Sequence, residues 1–96
     1  MKNNKTISEV KFDVLVDAIS AIDIVDVDAK SPHDGNIALY ITTNNISTVN
    51  KEKLSEICVN HSSSEFEVKF LVPENKIIED KFIPNTDCVC IFIQKN

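Results

Sequence analysis

The sequence predicts one α+β domain over residues 1–96: a five-stranded, mostly antiparallel sheet with two helices on one face, in the order α-β-β-α-β-β-β. Three observations predict it. A helix-capping signal lies near the start, several short runs alternate apolar with charged residues, and one continuous apolar run lies near the end. A length of 96 residues supports one hydrophobic core and not two.

The first helix is predicted from a capping box at Thr6-Ile7-Ser8-Glu9, in which the hydroxyl of Thr6 and the carboxylate of Glu9 exchange hydrogen bonds with backbone amides. The helix should run from Ile7 to about Ile22. A strand competes, because residues 10–14 alternate, but Val14-Leu15-Val16 breaks that alternation. One broad apolar face is predicted, formed by Ile7, Val10, Phe12, Val14, Leu15, Ala18, Ile19, Ala21 and Ile22.

A β-hairpin is predicted next. Residues 23–28 form a strand whose apolar phase slips between Ile24 and Val25, which is typical of a bulge. Residues 31–36 are rich in turn formers, and Asp34-Gly35 favours positive φ angles. The chain then enters a second strand over residues 37–42.

The second half of the chain predicts a helix and three strands. The helix begins near Asn50 and buries the stripe Leu54, Ile57, Cys58 and His61. The strands cover residues 65–72, 76–83 and 88–93, and the last should lie centrally because it is apolar on both faces. We expect Phe70, Val89, Ile91 and Phe92 to be largely buried.

Composition narrows the class of function. The formal net charge is -5, and the ten basic residues are all lysine, so a basic face for nucleic acid is not expected. The chain has no apolar run long enough to span a membrane, and its three cysteines do not form a disulfide framework. We therefore expect a cytoplasmic protein that binds neither membranes nor nucleic acid directly.

Catalytic signals are few. Gly35 is the only glycine, whereas phosphate-binding loops and nucleophile elbows need several glycines. His33 stands beside Asp34 in a predicted turn, and no nucleophile lies at a fixed spacing from it. We expect a protein that is not an enzyme and needs no cofactor.

A zinc site is the alternative reading. Cys58-x-x-His61 and Cys88-x-Cys90 together offer four ligands of the types that zinc prefers. The same cysteines also suit packing, since small thiol side chains are commonly buried. The alternative function is a small metal-stabilised or enzymatic domain centred on Cys58, His61, Cys88 and Cys90.

Acidic residues give the main functional hypothesis. Glu9, Asp13 and Asp17 follow at i, i+4 and i+8 on one helix face, about 6 Å apart. With Asp23, Asp26 and Asp28 they predict a surface that binds the basic, nucleic-acid-binding groove of a partner protein by mimicking phosphates. Small inhibitors encoded by phages and mobile elements are of this kind. A solvated helix face explains the same charges, and the loop of Pro32, His33 and Asp34 is the other candidate for a binding surface.

A homodimer is predicted from Ile77 and Ile78. Adjacent residues of a strand point to opposite faces, so one of the two faces outward unless a second copy covers it.

The apolar spacing of residues 37–41, of Leu54 and Ile57, and of residues 66–72 resembles the strand-helix-strand tail of bacterial replicative polymerase α subunits. The likeness covers half of the chain and includes no diagnostic polar residue. No function is transferred from it, because such patterns recur on many folds.

Overall fold

A computed structural model describes residues 5–31 and 35–96 of the chain. The elements are α1 (Ile7–Ala18), β1 (Ile24–Lys30), β2 (Ile37–Thr43), a 3-10 turn (Ile46–Thr48), α2 (Lys51–His61), β3 (Phe66–Leu71), β4 (Asn75–Ile78), β5 (Lys81–Pro84) and β6 (Cys88–Lys95). Four strands form the main sheet in the order β1-β2-β6-β3, and every neighbouring pair is antiparallel. The α+β class and the central position of the last strand are therefore confirmed.

The prediction of a single five-stranded sheet is wrong. Residues 76–83, expected to form one strand, fold back on themselves as the β4–β5 hairpin, a separate two-stranded sheet. The reversal occurs at Glu79 and Asp80, which adopt left-handed φ angles of 50° and 63°. Neither residue is glycine or asparagine, so the usual signal for this turn is missing from the sequence.

The capping box of α1 is confirmed. The Glu9 amide donates to the Thr6 hydroxyl at 3.2 Å, and the Thr6 amide donates to the Glu9 carboxylate at 2.9 Å. The helix ends at Ala18, four residues earlier than predicted, where the Ser20 hydroxyl donates to the carbonyl of Asp17. Neither described helix can span a bilayer, since α1 has 12 residues and α2 has 11, while about 20 apolar residues are needed.

The bulge predicted in β1 is present: the register with β2 shifts between Ile24 and Asp26. Beyond it, Asp26 to Lys30 pair residue by residue with β2. This register fixes which side chains of β1 share a face. Val27 pairs with Ile41, which is buried under the helices, so its neighbours Asp26 and Asp28 point to the opposite face of the sheet.

One hydrophobic core lies between the two helices and the inner face of the main sheet. Its buried members come from both helices, from β2, β3 and β6 and from adjoining loops, while β1 adds the partly buried Ile24 and Val27. The members with no exposed surface are Val14, Ala18, Leu39, Ile41, Leu54, Val89, Ile91 and Ile93. The predicted burial of Val89 and Ile91 is thus confirmed. Phe70 packs only partly against the core, and Phe92 is half-buried on the outer face, because successive residues of a strand alternate between faces.

The broad apolar face predicted for α1 is too wide. Val10, Val14 and Ala18 are buried, but Phe12 and Ile19 are 65% and 67% exposed. Residues four apart on a helix form a narrow stripe, and that stripe is the buried part of α1. Ile7 and Leu15 pack partly against the core, whereas Phe12, Val16 and Ile19 lie on a surface that the core does not use.

Candidate functional site

An open groove lies between α1 and β1. Helix α2 packs on β3, and α1 packs mainly on α2 and β6, which leaves the helix-side surface of β1 largely uncovered. The groove has a volume of about 760 Å³, and its apolar lining comes from Phe12, Leu15, Val16, Ile19, Ala21, Ile22, Ile24 and Val27. Asp23, Ser20 and Thr48 are its polar residues.

The outer wall of the groove is an exposed apolar stripe on α1. Phe12, Val16 and Ile19 are spaced by four and three residues, so they lie on one side of the helix. Each of the three is at least 49% exposed. A contiguous apolar patch of this kind is typical of an interaction site, whereas single exposed apolar residues are common on any protein.

The sequence contained a signal for this groove that the prediction misread. All nine apolar residues of the predicted first helix were placed on one broad apolar face, whereas α1 buries only the stripe of Val10, Val14 and Ala18. The signal for the groove was the excess of apolar residues on α1, because a helix that packs on one side buries one apolar stripe and leaves a second stripe exposed.

The six acidic residues predicted to bind a partner do not form one surface. Asp17 lies on the flank of α1 that meets α2, where its carboxylate contacts His61, and none of Glu9, Asp13 and Asp17 lines the groove. Asp26 and Asp28 lie on the opposite face of the sheet from both helices. Asp23 lines the groove, and its carboxylate accepts a hydrogen bond from the Asn44 side chain.

The acids on α1 have partners within the chain. Glu9 closes the capping box, Asp13 forms an ion pair with Lys5 at 2.6 Å, and Asp17 contacts the imidazole of His61 at 2.6 Å. The ion pair of Asp13 and its neighbouring acids raise the pKa of Lys5, which keeps its positive charge in place. Through these contacts the three acidic residues cap the start of α1 and connect the helix to Lys5 and to His61 of α2.

The four candidate zinc ligands do not converge. Cys58 is buried in the core beneath α2, whereas Cys88 and Cys90 lie on the outer face of β6, and His61 is engaged by Asp17. Across residues 5–31 and 35–96, no cluster of three or more potential ligands is placed to hold a metal ion. The sheet itself separates the two halves of the predicted site.

The environment of the cysteines favours packing over reactivity. Burial raises the pKa of the Cys58 thiol to about 11. Burial, together with the neighbouring Cys88, raises the pKa of the Cys90 thiol to about 11. A thiol with a raised pKa is a poor nucleophile at neutral pH, because nucleophilic attack needs the thiolate.

Two further predicted surfaces were the loop at residues 32–34 and the pair Ile77 and Ile78. Pro32, His33 and Asp34, the alternative binding loop, lie outside the described residues. Ile77 and Ile78, which suggested a homodimer, are both exposed, because the β4–β5 hairpin stands apart from the main sheet. Phe82 pairs with Ile77 on the same face of that hairpin and is 78% exposed.

Comparison of the chain with protein-family models, with curated proteins and with solved structures finds no match. The resemblance to the polymerase tail therefore gains no support from relatives.

Proposed function

We propose that this chain acts by binding another protein, and that the groove between α1 and β1 is the contact. The observation that carries the proposal is the exposure of Phe12, Val16 and Ile19 along a groove of about 760 Å³. Exposed apolar surface on this scale is retained where a partner covers it.

A macromolecular partner fits the groove better than a small ligand does. Sites for small molecules enclose most of the ligand and present several converging polar groups. Here the apolar lining continues from Leu15 outward to Val16, which lies on the solvent side of α1. Such a surface suits the apolar residues of a protein segment that lies along the helix.

The charge of the chain favours a basic partner. The formal net charge is -5, Asp23 lies in the groove, and Asp26 and Asp28 are exposed on the strand that bounds it. Acidic residues around an apolar contact speed association with a basic surface and disfavour acidic partners. The proposed partner therefore presents apolar residues flanked by Lys or Arg.

The test is affinity capture from cells followed by titration with the purified partner. Ile19→Lys places a charge in the groove, and Val59→Lys is the matched control, because Val59 is 72% exposed on α2, away from the groove. Both substitutions are at exposed positions and should change stability by less than about 0.5 kcal/mol.

We expect one captured protein to bind the native chain and the Val59→Lys variant equally, and to bind Ile19→Lys at least about tenfold more weakly. Burial of an isoleucine side chain stabilises by about 1.5–3 kcal/mol, which corresponds to a tenfold change or more. Equal binding of the two variants contradicts the proposal, as does a failure to capture any protein whose binding depends on Ile19.

A further inference from the structure

The free edge of β1 borders the groove. Strand β1 is at one end of the four-stranded sheet, and within residues 5–31 and 35–96 no strand pairs with the other side of its backbone. Its segment from Asp26 to Lys30 is regular, since each residue pairs in sequence with β2. An edge strand of this kind presents outward-pointing N–H and C=O groups to any extended chain that lies alongside.

The two faces of this edge differ in chemistry. On the groove side β1 presents Val27 and Ala29, while on the other face it presents Asp26, Asp28 and Lys30. A strand placed beside β1 would alternate in the same way, with every second side chain in the groove. The intervening side chains would lie opposite the two aspartates and the lysine.

The volume of the groove argues against a second copy of the chain as the occupant. Two β1 strands paired across a twofold axis can match Asp28 with Lys30, so charge is compatible with such a dimer. Their strands would, however, contribute only the small side chains of Val27 and Ala29 on the groove side, and these leave most of about 760 Å³ unfilled.

The hairpin of a second copy is also a poor occupant. Its tip carries Glu79 and Asp80 beside Ile77 and Phe82. Docking this tip in the groove brings its two acids toward Asp23, and like charges at a contact disfavour association.

We propose that the partner binds as an extended segment that adds a fifth strand to the free edge of β1, with large apolar residues alternating with basic ones. This inference rests on the proposed function and names the form of the partner. The apolar residues fill the groove against Leu15 and Ile19, and the basic residues pair with Asp26 and Asp28. For an antiparallel segment the matching order is acidic, apolar, basic, apolar, basic, with the acidic residue opposite Lys30.

The test uses two synthetic peptides of about nine residues with identical composition. In the strand peptide, Val, Ile or Phe alternates with Lys, with one Glu at the position that would meet Lys30. In the helix peptide, the same residues are reordered so that the apolar ones fall at i, i+3, i+4 and i+7. Each is titrated into the full, isotope-labelled chain, and amide exchange is followed along β1.

We expect the strand peptide to bind more tightly than the helix peptide and to slow exchange of outward-pointing amides between Asp26 and Lys30 by about tenfold or more. Two N-methylated versions of the strand peptide provide a control, one methylated at the odd-numbered residues and the other at the even-numbered residues. Only the version methylated at the N–H groups that face β1 should lose binding, because only those groups donate hydrogen bonds to the edge strand.

Charge and groove variants complete the test. The double variant Asp26→Asn with Asp28→Asn should bind the strand peptide several-fold more weakly, and this binding should depend less on salt concentration. Ile19→Lys should bind the strand peptide at least about tenfold more weakly, whereas the matched Val59→Lys variant should bind it with unchanged affinity.

Each contrary outcome has a distinct meaning. Preferred binding of the helix peptide, with exchange along β1 unchanged, overturns strand addition and leaves the proposed function standing. Slow β1 exchange without peptide, together with a dimer mass that persists in Phe82→Lys, assigns the edge to a second copy and also overturns the inference. Binding of neither peptide at about 1 mM overturns it too, and the capture experiment with Ile19→Lys then decides the proposed function independently.

Discussion

Replacing Asn85 with alanine tests how the β4–β5 hairpin is attached to the main sheet. Asn85 follows β5 and is 6% exposed. Its side-chain amide donates to the carbonyls of Pro73 and Cys88 at 2.7 and 2.9 Å. Its side-chain oxygen accepts from the amides of Asp87 and Cys88 at 3.3 and 2.9 Å.

The expected loss follows from these four hydrogen bonds. Each contributes about 0.5–1.5 kcal/mol net, and the alanine variant leaves two carbonyls and two amides without that partner in a nearly buried site. Water can replace some of the contacts, so we expect the free energy of unfolding to fall by about 2–4 kcal/mol. For a chain of this size the melting temperature should then fall by roughly 10–30 °C.

Thermal and urea unfolding followed by circular dichroism provide the measurement. Asn60→Ala, on the exposed surface of α2, is the matched control and should change stability by less than about 0.5 kcal/mol. A second variant, Asn85→Asp, keeps the shape and the acceptors but loses both donated bonds, and should be about as destabilised at neutral pH. A loss under about 1 kcal/mol in both Asn85 variants would refute the view that this side chain holds the hairpin in place.

Three further predictions concern the turn, the thiols and the hairpin surface. Replacing Glu79 with Asn and Asp80 with Gly should raise the free energy of unfolding by about 1 kcal/mol, measured by urea titration, because Asn-Gly suits the left-handed turn. The raised pKa values of Cys58 and Cys90 disfavour thiolates in the folded chain. The contribution of these thiols to the free energy of unfolding should therefore be constant below about pH 9 and be lost as pH rises through about 11, so the fall over that range should be smaller in Cys58→Ala, as urea midpoints would show. Light scattering at micromolar concentration should give a dimer mass for the native chain and a monomer mass for Phe82→Lys, because Phe82 is highly exposed.

Local signals in the sequence were sufficient to predict much of the main sheet and its helices. Thr6 and Glu9 satisfy backbone amides within one turn of each other, so the start of α1 depends on neighbouring residues alone. The bulge after Ile24 follows from a slip in the apolar alternation of the same strand. The apolar run of β6 predicted a central strand, and β6 lies between β2 and β3 in the main sheet.

The β4–β5 hairpin could not be predicted in the same way. Its turn uses Glu79 and Asp80 in left-handed conformations, for which such residues are uncommon. Its position is fixed by Asn85, whose partners at Pro73 and Cys88 flank the hairpin on either side along the chain. These contacts form only after the chain has folded back on itself, so they cannot be predicted from the spacing of apolar residues in the sequence.

The candidate site depends on tertiary packing even more strongly. The sequence places Phe12, Val14 and Ile19 on one apolar helix, and only the packing of α1 on α2 and β6 decides that Val14 is buried and the other two are not. The acidic residues show the same limitation. Their spacing along the chain suggested one surface. The register of β1, in which Asp28 pairs with Tyr40, instead places Asp26 and Asp28 on the face of the sheet opposite to α1.

The two exposed apolar regions of the molecule suit different partners. The hairpin is inserted between β3 and β6, in the half of the main sheet away from β1, so the hairpin surface and the groove are separate contacts. The acidic tip of the hairpin is a poor match for the acidic surroundings of the groove, which disfavours chains that polymerise by hairpin-to-groove docking. A dimer formed through Phe82 and Ile77 would instead leave the groove of each copy open. Two grooves on one dimer would strengthen the capture of a partner that carries repeated basic strands, because the second contact then forms within the same complex.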